Sequence, residues 1–249
     1  MLTATALAPL PEVRPGDDLA GLIAAAIPAP GLERGDVVVV AHKVVSKAEG
    51  RLRALDDVTP SPRANAIARA HGKDPRHVQV VLDESRELLR AERGVLIAVT
   101  HHGFVCANAG VDASNVGAAE TIVLQPRDPD ASARSLRARL RALAGIAPAV
   151  LITDSFGRAW RHGQTDVALG CAGLSPLEDW RGRTDAVGRE LKATWIAVAD
   201  ELAGAADLAR TKDGMQPVVL VRGAERHVRD DDGPGALALI RAPEQDLFR

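Results

Sequence analysis

The sequence predicts a mixed α/β (α+β) fold, because strand patterns and helix patterns both occur along the chain without a strict βαβ rhythm. Short β-branched runs, of which residues 37–41 (VVVVA) are the clearest, indicate strands that are buried on both faces. Apolar residues spaced three and four apart indicate amphipathic helices. The chain has 249 residues, 46% hydrophobic and 26% charged, which is typical of a globular protein. We expect one domain over residues 1–249, within which sub-lobes are allowed.

Charge and cysteine content exclude several classes of protein. The 31 basic and 33 acidic residues give a formal net charge of −2, so the chain lacks the positive field of non-specific nucleic-acid binders. No apolar run approaches the roughly 20 residues that span a bilayer, and the N-terminus lacks a signal-peptide pattern. Cys106 and Cys171 stand alone, without disulfide or zinc spacing, and Cys106 is expected to pack rather than react. We therefore expect a cytoplasmic protein that binds neither nucleic acid nor membranes.

The first half of the chain predicts three helices, an early buried strand and a hairpin. Asp17 or Asp18 can cap the first helix, which ends at a Pro-rich break. The hairpin has His101-His102-Gly103 at its tip, where adjacent histidines point to opposite sides rather than forming a metal pair. In order, the expected elements are a helix over 19–27, a strand over 37–41, a helix from 62 to about 71, a helix carrying Val78, Val81, Leu82, Leu88 and Leu89, strands over 95–100 and 104–108, and a strand over 121–124.

The second half predicts two long helices and three strands. A helix introduced by Asp128-Pro129-Asp130 is expected to place Arg134, Arg137 and Arg141 on a solvated face. Trp195, at helical spacing with apolar neighbours, is expected in the core. The remaining expected elements are strands over 150–153, 167–172 and 218–221, a helix over about 185–208, and a loose acidic tail over 227–235 before a short C-terminal helix.

The first of three polar segments that directly follow buried strands covers residues 42–51. It offers two ammonium groups, a hydroxyl and a glycine, which are the parts needed to hold phosphates. The segment does not match the P-loop pattern, and a solvated basic loop is the alternative interpretation.

The second polar segment covers residues 108–115. Its small residues would let the backbone approach a ligand, and Asp112 and Asn115 offer the oxygen atoms that magnesium and manganese favour. An Asx turn or a helix cap is the alternative explanation for these two residues.

The third polar segment, residues 153–166, is the densest. A carboxylate at a strand end, Asp154, is followed by two arginines and several hydrogen-bonding groups, which favours a binding site. Asp112 and Asp154 both follow expected strands, so the two carboxylates could share one metal ion if those strands are neighbours.

Four strings in order along the chain resemble the coenzyme F-420-0:gamma-glutamyl ligase family. The similarity extends from about residue 8 to 223, and several long motifs together are specific where a single motif is not. The strings are GDVVVVAHKVVSKAEGR, GFVCANAGVDASNV, VLITDSFGRAWRHGQTDVALG and ADELAGAADLARTKDGMQPVVLVRG.

The resemblance implies a GTP-dependent ligase that adds one or more γ-linked L-glutamates to coenzyme F-420-0 through an acyl phosphate. It implies Mg²⁺ or Mn²⁺ as cofactor, with a monovalent cation such as K⁺ as an additional candidate. It also implies a gamma-glutamyl-ligase-like fold that forms an intertwined homodimer. Two alternatives stay open: a non-catalytic protein that binds nucleotide or deazaflavin, and a ligase of the same family that acts on another carboxylate.

The resemblance also assigns roles residue by residue. Nucleotide contacts are assigned to Ala8, Pro9, Leu10, Pro11, His42, Lys47, Asn115, Gly214 and Met215. The divalent cation is assigned to Asp112 and Asp154, and a second cation to Ser155. Catalytic roles are assigned to Asp154, Lys47 and Arg158.

The chain departs from the common family pattern at a few positions. His42 stands in place of a smaller hydroxyl residue, Ser155 in place of a frequent Thr, and His162 in place of a frequent acidic residue. The segment 211–213 lacks an acid that some relatives carry there, so the first metal site is expected to be intact and the second is left open. A fused flavin reductase domain, present in many actinobacterial relatives, is not expected within these 249 residues.

Overall fold

A computed structural model of the chain describes residues 1–112 and 120–246. Within these residues the helices are α1 (Leu19–Ala26), α2 (His42–Ala48), α3 (Pro62–His71), α4 (Pro75–Asp83), α5 (Pro129–Ala144) and α6 (Val198–Leu208). The strands are β1 (Thr3–Ala6), β2 (Val37–Ala41), β3 (Leu52–Ala54), β4 (Ser85–Glu92), β5 (Val95–Thr100), β6 (Val105–Ala107), β7 (Thr121–Val123), β8 (Ala149–Arg158), β9 (Arg161–Ala172), β10 (Glu178–Asp179), β11 (Trp195–Ile196) and β12 (Val218–Arg222). The predicted mixed α/β class is therefore confirmed.

The main sheet has five strands in the order β1-β12-β2-β8-β9. β2 and β8 are parallel, and the other neighbouring pairs are antiparallel. The four valines of β2 are fully buried, with Val38 and Val40 facing one core and Val37 and Val39 the other. This strand is therefore buried on both faces, as its continuous β-branched run predicts.

Helices cover both faces of the main sheet. α1 and α5 pack on the face of Val38 and Val40 through residues such as Ile23 and Leu140. α6 packs on the opposite face, where its Leu202 joins the core of Val37 and Val39. The β2–β8 pair is thus held rigidly between two apolar layers, which fixes the position of the residues that follow each strand.

A second lobe is formed by described residues between 52 and 124. Its core joins α3 and α4 to β5 and β7, and its strands form two small sheets, β4-β5-β6 and β3-β7. Arg51 ties this lobe to the rest of the chain: its Nη2 donates to Glu84 Oε2 at 2.7 Å and its Nε to the carbonyl of Gln125 at 2.9 Å.

The helix starts follow their capping signals. Asp18, Ser61, Asp74 and Asp128 each accept a backbone N–H of the first turn of a helix. A proline also stands in the first turn of α3, α4 and α5, where its missing N–H costs nothing. These local signals explain why the expected starts of α1, α3 and α5 agree with the structure.

Two expected helices are too long. α4 ends at Asp83, and Leu88 and Leu89 lie in β4, whose backbone pairs with β5 instead of continuing the helix. The helix expected over 185–208 begins only at Val198, because residues 185–189 form a turn with Gly188 at φ +83°.

Trp195 is consequently not a core residue. It lies in β11, is about half exposed, and carries the guanidinium of Arg181 4.3 Å from its ring centroid. The expected core position was wrong, since the helical spacing on which it rested belongs to a segment that is not helical there.

Four further expectations are corrected, those for Arg137, for the tail over 227–235, for residues 154–166 and for the C-terminal helix. Arg137 is buried rather than solvated, because its guanidinium donates to Asp232 Oδ1 at 2.8 Å and to three backbone carbonyls. The tail over 227–235 is anchored rather than loose, since its backbone bonds to Gly173. The polar residues 154–166 are mostly the two strands of the β8–β9 hairpin, and the C-terminal helix is a short 3₁₀ turn, Ala236–Leu239.

Both cysteines are buried, and burial raises the pKa of each thiol to about 12. This agrees with the expectation that Cys106 packs. In the described part of the chain, no helix has the length and apolar character needed to cross a membrane.

Candidate functional site

The candidate site lies at the carboxyl edge of the parallel pair β2–β8. Ala41 at the end of β2 is in register with Thr153 of β8, so the next residues of the two strands, His42 and Asp154, are neighbours. His42 begins α2 and is 1% exposed, and its Nε2 lies 3.4 Å from Oδ1 of Asp154. Ligand sites of α/β proteins commonly occupy this edge of a sheet, where loops and helix starts converge.

Asp154 is an ionised carboxylate. Burial alone would raise its pKa, but the His42 ring, the backbone N–H of Ser155 and the charge of Lys43 together lower the pKa below its ordinary value. The N–H of Ser155 donates to Oδ1 at 2.8 Å. The carboxylate thus keeps its negative charge at neutral pH even though it is mostly enclosed.

Asp112 forms an ion pair with the second residue of α2, Lys43. Its Oδ2 lies 2.6 Å from Nζ of Lys43, and its backbone pairs with Val123 at 2.8 and 3.0 Å. The first two residues of α2, His42 and Lys43, therefore lie against the two carboxylates that the family resemblance assigns to one cation. The strands themselves are not paired, because β6, which precedes Asp112, belongs to the β4-β5-β6 sheet and β8 to the main sheet. The start of α2 brings the two acids to one place instead.

These two acids fit a hard divalent cation by the chemistry of their donors. Carboxylate oxygens are preferred by Mg²⁺ and Mn²⁺, and both side chains are partly exposed, at 17% for Asp154 and 33% for Asp112. Across residues 1–112 and 120–246, no group of three or more His, Cys, Asp and Glu side chains is arranged as a complete metal cage. A cation held here would complete its shell with water or ligand oxygens, as Mg²⁺ commonly does.

A buried acid lies beneath this edge. Asp166 is 1% exposed and accepts hydrogen bonds from Thr153 Oγ1 at 2.8 Å and Ser155 Oγ at 2.7 Å. The guanidinium of Arg210 pairs with Oδ2 of Asp166, the oxygen that also accepts from Thr153. Nζ of Lys212 donates to Ser155 Oγ at 2.9 Å. No sequence pattern indicates a contact between Asp166 and Arg210, since a strand register and the end of α6 bring them together.

The segments that resemble nucleotide-contacting segments converge on α2 and β12. Lys47 is 8% exposed, and its Nζ lies 2.7 Å from Oε1 of Glu12, which brings residues 8–12 against α2. Gln216 Nε2 donates to the carbonyl of Leu7 at 3.1 Å, which brings residues 214–216 beside the same N-terminal segment.

Most of the residues that the resemblance assigns to the nucleotide in these segments are exposed, and one is buried. Ala8, Pro9 and Pro11 are exposed, and Met215 is exposed at φ +52°. Leu10 is buried in the main core, so a ligand could meet only its backbone. Gly214 precedes Met215 in the turn that leads into β12.

Two residues that the resemblance assigns to the site, Arg158 and Asn115, are not seen at the edge of β2 and β8. Arg158 is near the tip of the β8–β9 hairpin, where its Nη2 donates to the carbonyl of His162 at 2.8 Å, about 13 Å along the strand from Asp154. Its catalytic role stays a prediction that the observed contact does not support. Asn115 lies outside the described residues.

A comparison with protein families matches residues 8–223 to the family "F420-0:Gamma-glutamyl ligase". This range contains both acids of the parallel edge, α2, Asp166 and the segment before β12.

Curated relatives are similar over nearly their whole lengths. The chain is 49% identical to "Coenzyme F420:L-glutamate ligase" of Methanopyrus kandleri over 240 residues, covering 96% of this chain and 94% of the relative. Proteins of the same name from Methanothermobacter thermautotrophicus and Haloarcula marismortui are each 45% identical, with 96% of this chain covered in both cases and 96% and 93% of the respective relatives.

Proposed function

The chain belongs to the F420-0:gamma-glutamyl ligase family, and on this premise we propose that it joins L-glutamate to coenzyme F-420-0 in a GTP-driven reaction. The observation that carries the proposal is the arrangement at the carboxyl edge of β2 and β8. There, His42 and Lys43 of α2 lie against Asp154 and Asp112, while Lys47 pairs with Glu12 of the N-terminal segment.

The proposed chemistry has two steps. A carboxylate oxygen is a poor leaving group, so the terminal carboxylate of coenzyme F-420-0 first attacks the γ-phosphorus of GTP, giving an acyl phosphate and GDP. The amine of L-glutamate then attacks the acyl carbon and loses a proton, the carbon–oxygen bond to phosphate breaks, and inorganic phosphate leaves with the electron pair. Positioning and charge neutralisation are the tasks that this leaves to the protein.

Asp112 and Asp154 are the residues that would hold a divalent cation. Such a cation, when bound, neutralises phosphate charge during transfer. His42 and Lys43 orient the two carboxylates, because each lies against one of them. Both carboxylates are thereby kept at the edge of the sheet, where a ligand can reach them.

Lys47 and two chain segments would bind the nucleotide. The ammonium group of Lys47 is a compact charge suited to phosphate oxygens. Backbone groups of residues 8–11 and 214–215 border the same edge and would contact the rest of the nucleotide. A dimer would complete the arrangement if it intertwines as the family resemblance implies.

Incubation with coenzyme F-420-0, GTP, MgCl₂ and L-glutamate tests the proposal directly. We expect a glutamylated product, with GDP and phosphate formed in equal amounts. In Asp154→Asn we expect turnover to fall by about a hundredfold or more with little change in folding, since a cation ligand is lost and no cavity opens. Asp57→Asn, at an exposed carboxylate of the second lobe, is the matched control and should keep wild-type rates.

Other results would identify other functions. Binding of GTP or deazaflavin without turnover would indicate a non-catalytic binding protein. Turnover only with a different acid in place of coenzyme F-420-0 would indicate a ligase of this family with another substrate. Near wild-type rates for Asp154→Asn at limiting magnesium would reject the metal assignment.

A further inference from the structure

The side-chain nitrogen of Lys212 lies among three oxygen atoms. Its Nζ is 2.9 Å from Ser155 Oγ, 2.7 Å from Asp207 Oδ1 and 3.9 Å from Asp166 Oδ1. The two shorter distances are those of charge-assisted hydrogen bonds. Lys212 is 68% exposed, so the ammonium is held by the protein on one side and open to solvent on the other.

The residues around Ser155 do not fit a second cation. The hydroxyl of Ser155 donates a hydrogen bond to Asp166 Oδ1, and its oxygen accepts one from Lys212. Asp166 is already paired with Arg210 through its other oxygen. A metal ion bound to Ser155 Oγ would therefore stand against an ammonium bonded to the same oxygen, and like charges at that distance repel. The hydroxyl has no second oxygen to offer, unlike the carboxylate of Asp112, where Lys43 contacts Oδ2.

We propose that Lys212 takes the place of a second cation at Ser155, with its remaining N–H directed to a phosphate oxygen of the nucleotide that the family resemblance already assigns to residues 214–215 in the same segment. The nucleotide part rests on the proposed function, because Ser155 follows the cation ligand Asp154 in β8. An ammonium has three N–H donors, and Ser155 and Asp207 use two of them among the described residues. The third, on the exposed side, remains for a ligand.

If the ammonium of Lys212 replaces a cation, its removal should open a binding position for a monovalent cation. Truncation of Lys212 leaves the oxygens of Ser155, Asp207 and Asp166 facing a vacated position. K⁺ and NH₄⁺ are the monovalent ions nearest to an alkylammonium in size and charge, so they should enter that position. The wild-type chain should be indifferent to them and should hold one divalent ion, whereas Lys212→Ala should become responsive.

The test uses two readouts besides turnover, on the full chain. The first is the number of Mn²⁺ ions bound per chain with a non-hydrolysable GTP analogue present, measured from the electron paramagnetic resonance signal of unbound Mn²⁺. The second is the melting temperature without nucleotide in NaCl, KCl and NH₄Cl at equal ionic strength. Lys212→Gln is a second variant that keeps hydrogen bonding without charge, and Lys192→Ala, at an exposed lysine elsewhere, is the control.

We expect one Mn²⁺ per wild-type chain and melting temperatures that are the same in the three salts. For Lys212→Ala we expect higher melting temperatures in KCl and NH₄Cl than in NaCl. We also expect a KM for GTP raised about ten- to a hundredfold, with part of the increase reversed by K⁺ or NH₄⁺. Lys212→Gln should show the same rise in KM, and Lys192→Ala should match the wild type.

Two Mn²⁺ per wild-type chain, or equal responses to K⁺ in the wild type and Lys212→Ala, would overturn the proposal. An unchanged KM for GTP in both Lys212 variants would overturn its nucleotide part. If the wild type binds no GTP analogue, the proposed function fails instead, and the melting temperatures in the three salts still decide whether Lys212 replaces a cation.

Discussion

The structure shows that Lys47, the expected phosphate contact, is nearly buried and paired with an acid. Its side chain is 10% exposed, and its ammonium pairs with Glu12, whose side chain is more than half exposed. A nearly buried ammonium is stable only with a partner, so Glu12 holds Lys47 in place until a stronger anion competes for it. A triphosphate carries more charge than one carboxylate and is such a competitor.

We expect Lys47→Ala to raise the KM for GTP about ten- to a hundredfold, the equivalent of about 1.5–3 kcal/mol for a charge-assisted contact. The KM for L-glutamate should change little, because the lost charge faces phosphate. Steady-state kinetics with each substrate varied in turn measures both effects. Glu12→Gln is the matched variant: it removes the same ion pair and keeps the ammonium, so its KM for GTP should be unchanged or lower. Equal increases in the two variants would show that the pair serves only the fold.

Much of the site could be predicted residue by residue, and one part could not. His42 was found because it directly follows β2, and Asp154 because a strand was expected to end at Thr153, although β8 continues to Arg158. Asp166 and Arg210 have no pattern that joins them, because their contact depends on the register of a hairpin and on where α6 ends. Sequence periodicity carries no information on either.

At the scale of elements, the β8–β9 hairpin depends on the buried charge of Asp166. This carboxylate joins both strands through Thr153 and Ser155 and binds Arg210, which follows α6. It therefore ties the hairpin to the helix that covers the sheet. A buried charge with all of its partners in place is costly to remove alone.

Asp166→Asn should destabilise the fold by about 3–5 kcal/mol, since it leaves the Arg210 guanidinium without its counter-ion. Denaturant unfolding of the wild type and the variant gives this difference. The double variant Asp166→Asn, Arg210→Gln should recover part of the loss, because no charge then remains uncompensated. A single-variant loss below about 1 kcal/mol would mean that the pair is worth no more than an exposed ion pair.

A second element-scale expectation concerns His77 of α4. Burial lowers the pKa of this histidine, the nearby charge of Lys73 adds to the effect, and Asp74 and Asp112 oppose it. Below about pH 6.5 the unfolded chain protonates this ring while the folded chain resists, so stability falls as the pH drops from 6.5 toward the folded pKa.

His77→Gln should therefore lose less stability than the wild type between pH 7.5 and 5.5. Denaturation midpoints at the two pH values, for the variant and for the wild type, measure the difference. His162→Gln, on the exposed hairpin, is the control and should follow the wild type. If His77→Gln loses as much stability between pH 7.5 and 5.5 as the wild type does, His77 does not contribute to the destabilisation at low pH.

Elements differ in how well the sequence indicates them. The starts of α3 and α5, each with a side-chain cap and a proline in the first turn, were predicted within a residue or two, because those signals are local. Short strands such as β1 and β3 were not predicted, because two to four residues become a strand only through a partner far along the chain. The helix expected from Asp185 failed where Gly188 turns the chain.

At the scale of the whole molecule, the described surface keeps several large apolar side chains exposed. Leu89, Val95 and Val105 are 37%, 44% and 47% exposed and lie on the three neighbouring strands of the β4-β5-β6 sheet. Exposed apolar side chains on one sheet are candidate contacts for another protein chain. They are in keeping with the homodimer that the sequence resemblance implies, which stays a prediction.

We expect the protein to be an obligate dimer whose chains exchange slowly, because intertwined strands must leave one sheet before they join another. Mixing two differently tagged homodimers under native conditions, followed by sequential affinity capture, measures the rate. Light scattering of the active fraction gives its mass. Mixed dimers within minutes, or full activity at monomer mass, would contradict this expectation.

The position of β12 in the main sheet also bears on how the chain is made. β12 lies between β1 and β2, so β1 pairs with a strand that is synthesised after every other strand of the described residues. Until residues 218–222 emerge, β2 presents an open backbone edge, which is a template for aggregation. The second lobe draws its core from a continuous stretch of chain and can form while synthesis proceeds. We therefore expect ribosome-bound chains that end before Val218 to hold a folded second lobe and an unfinished main sheet that needs chaperone protection.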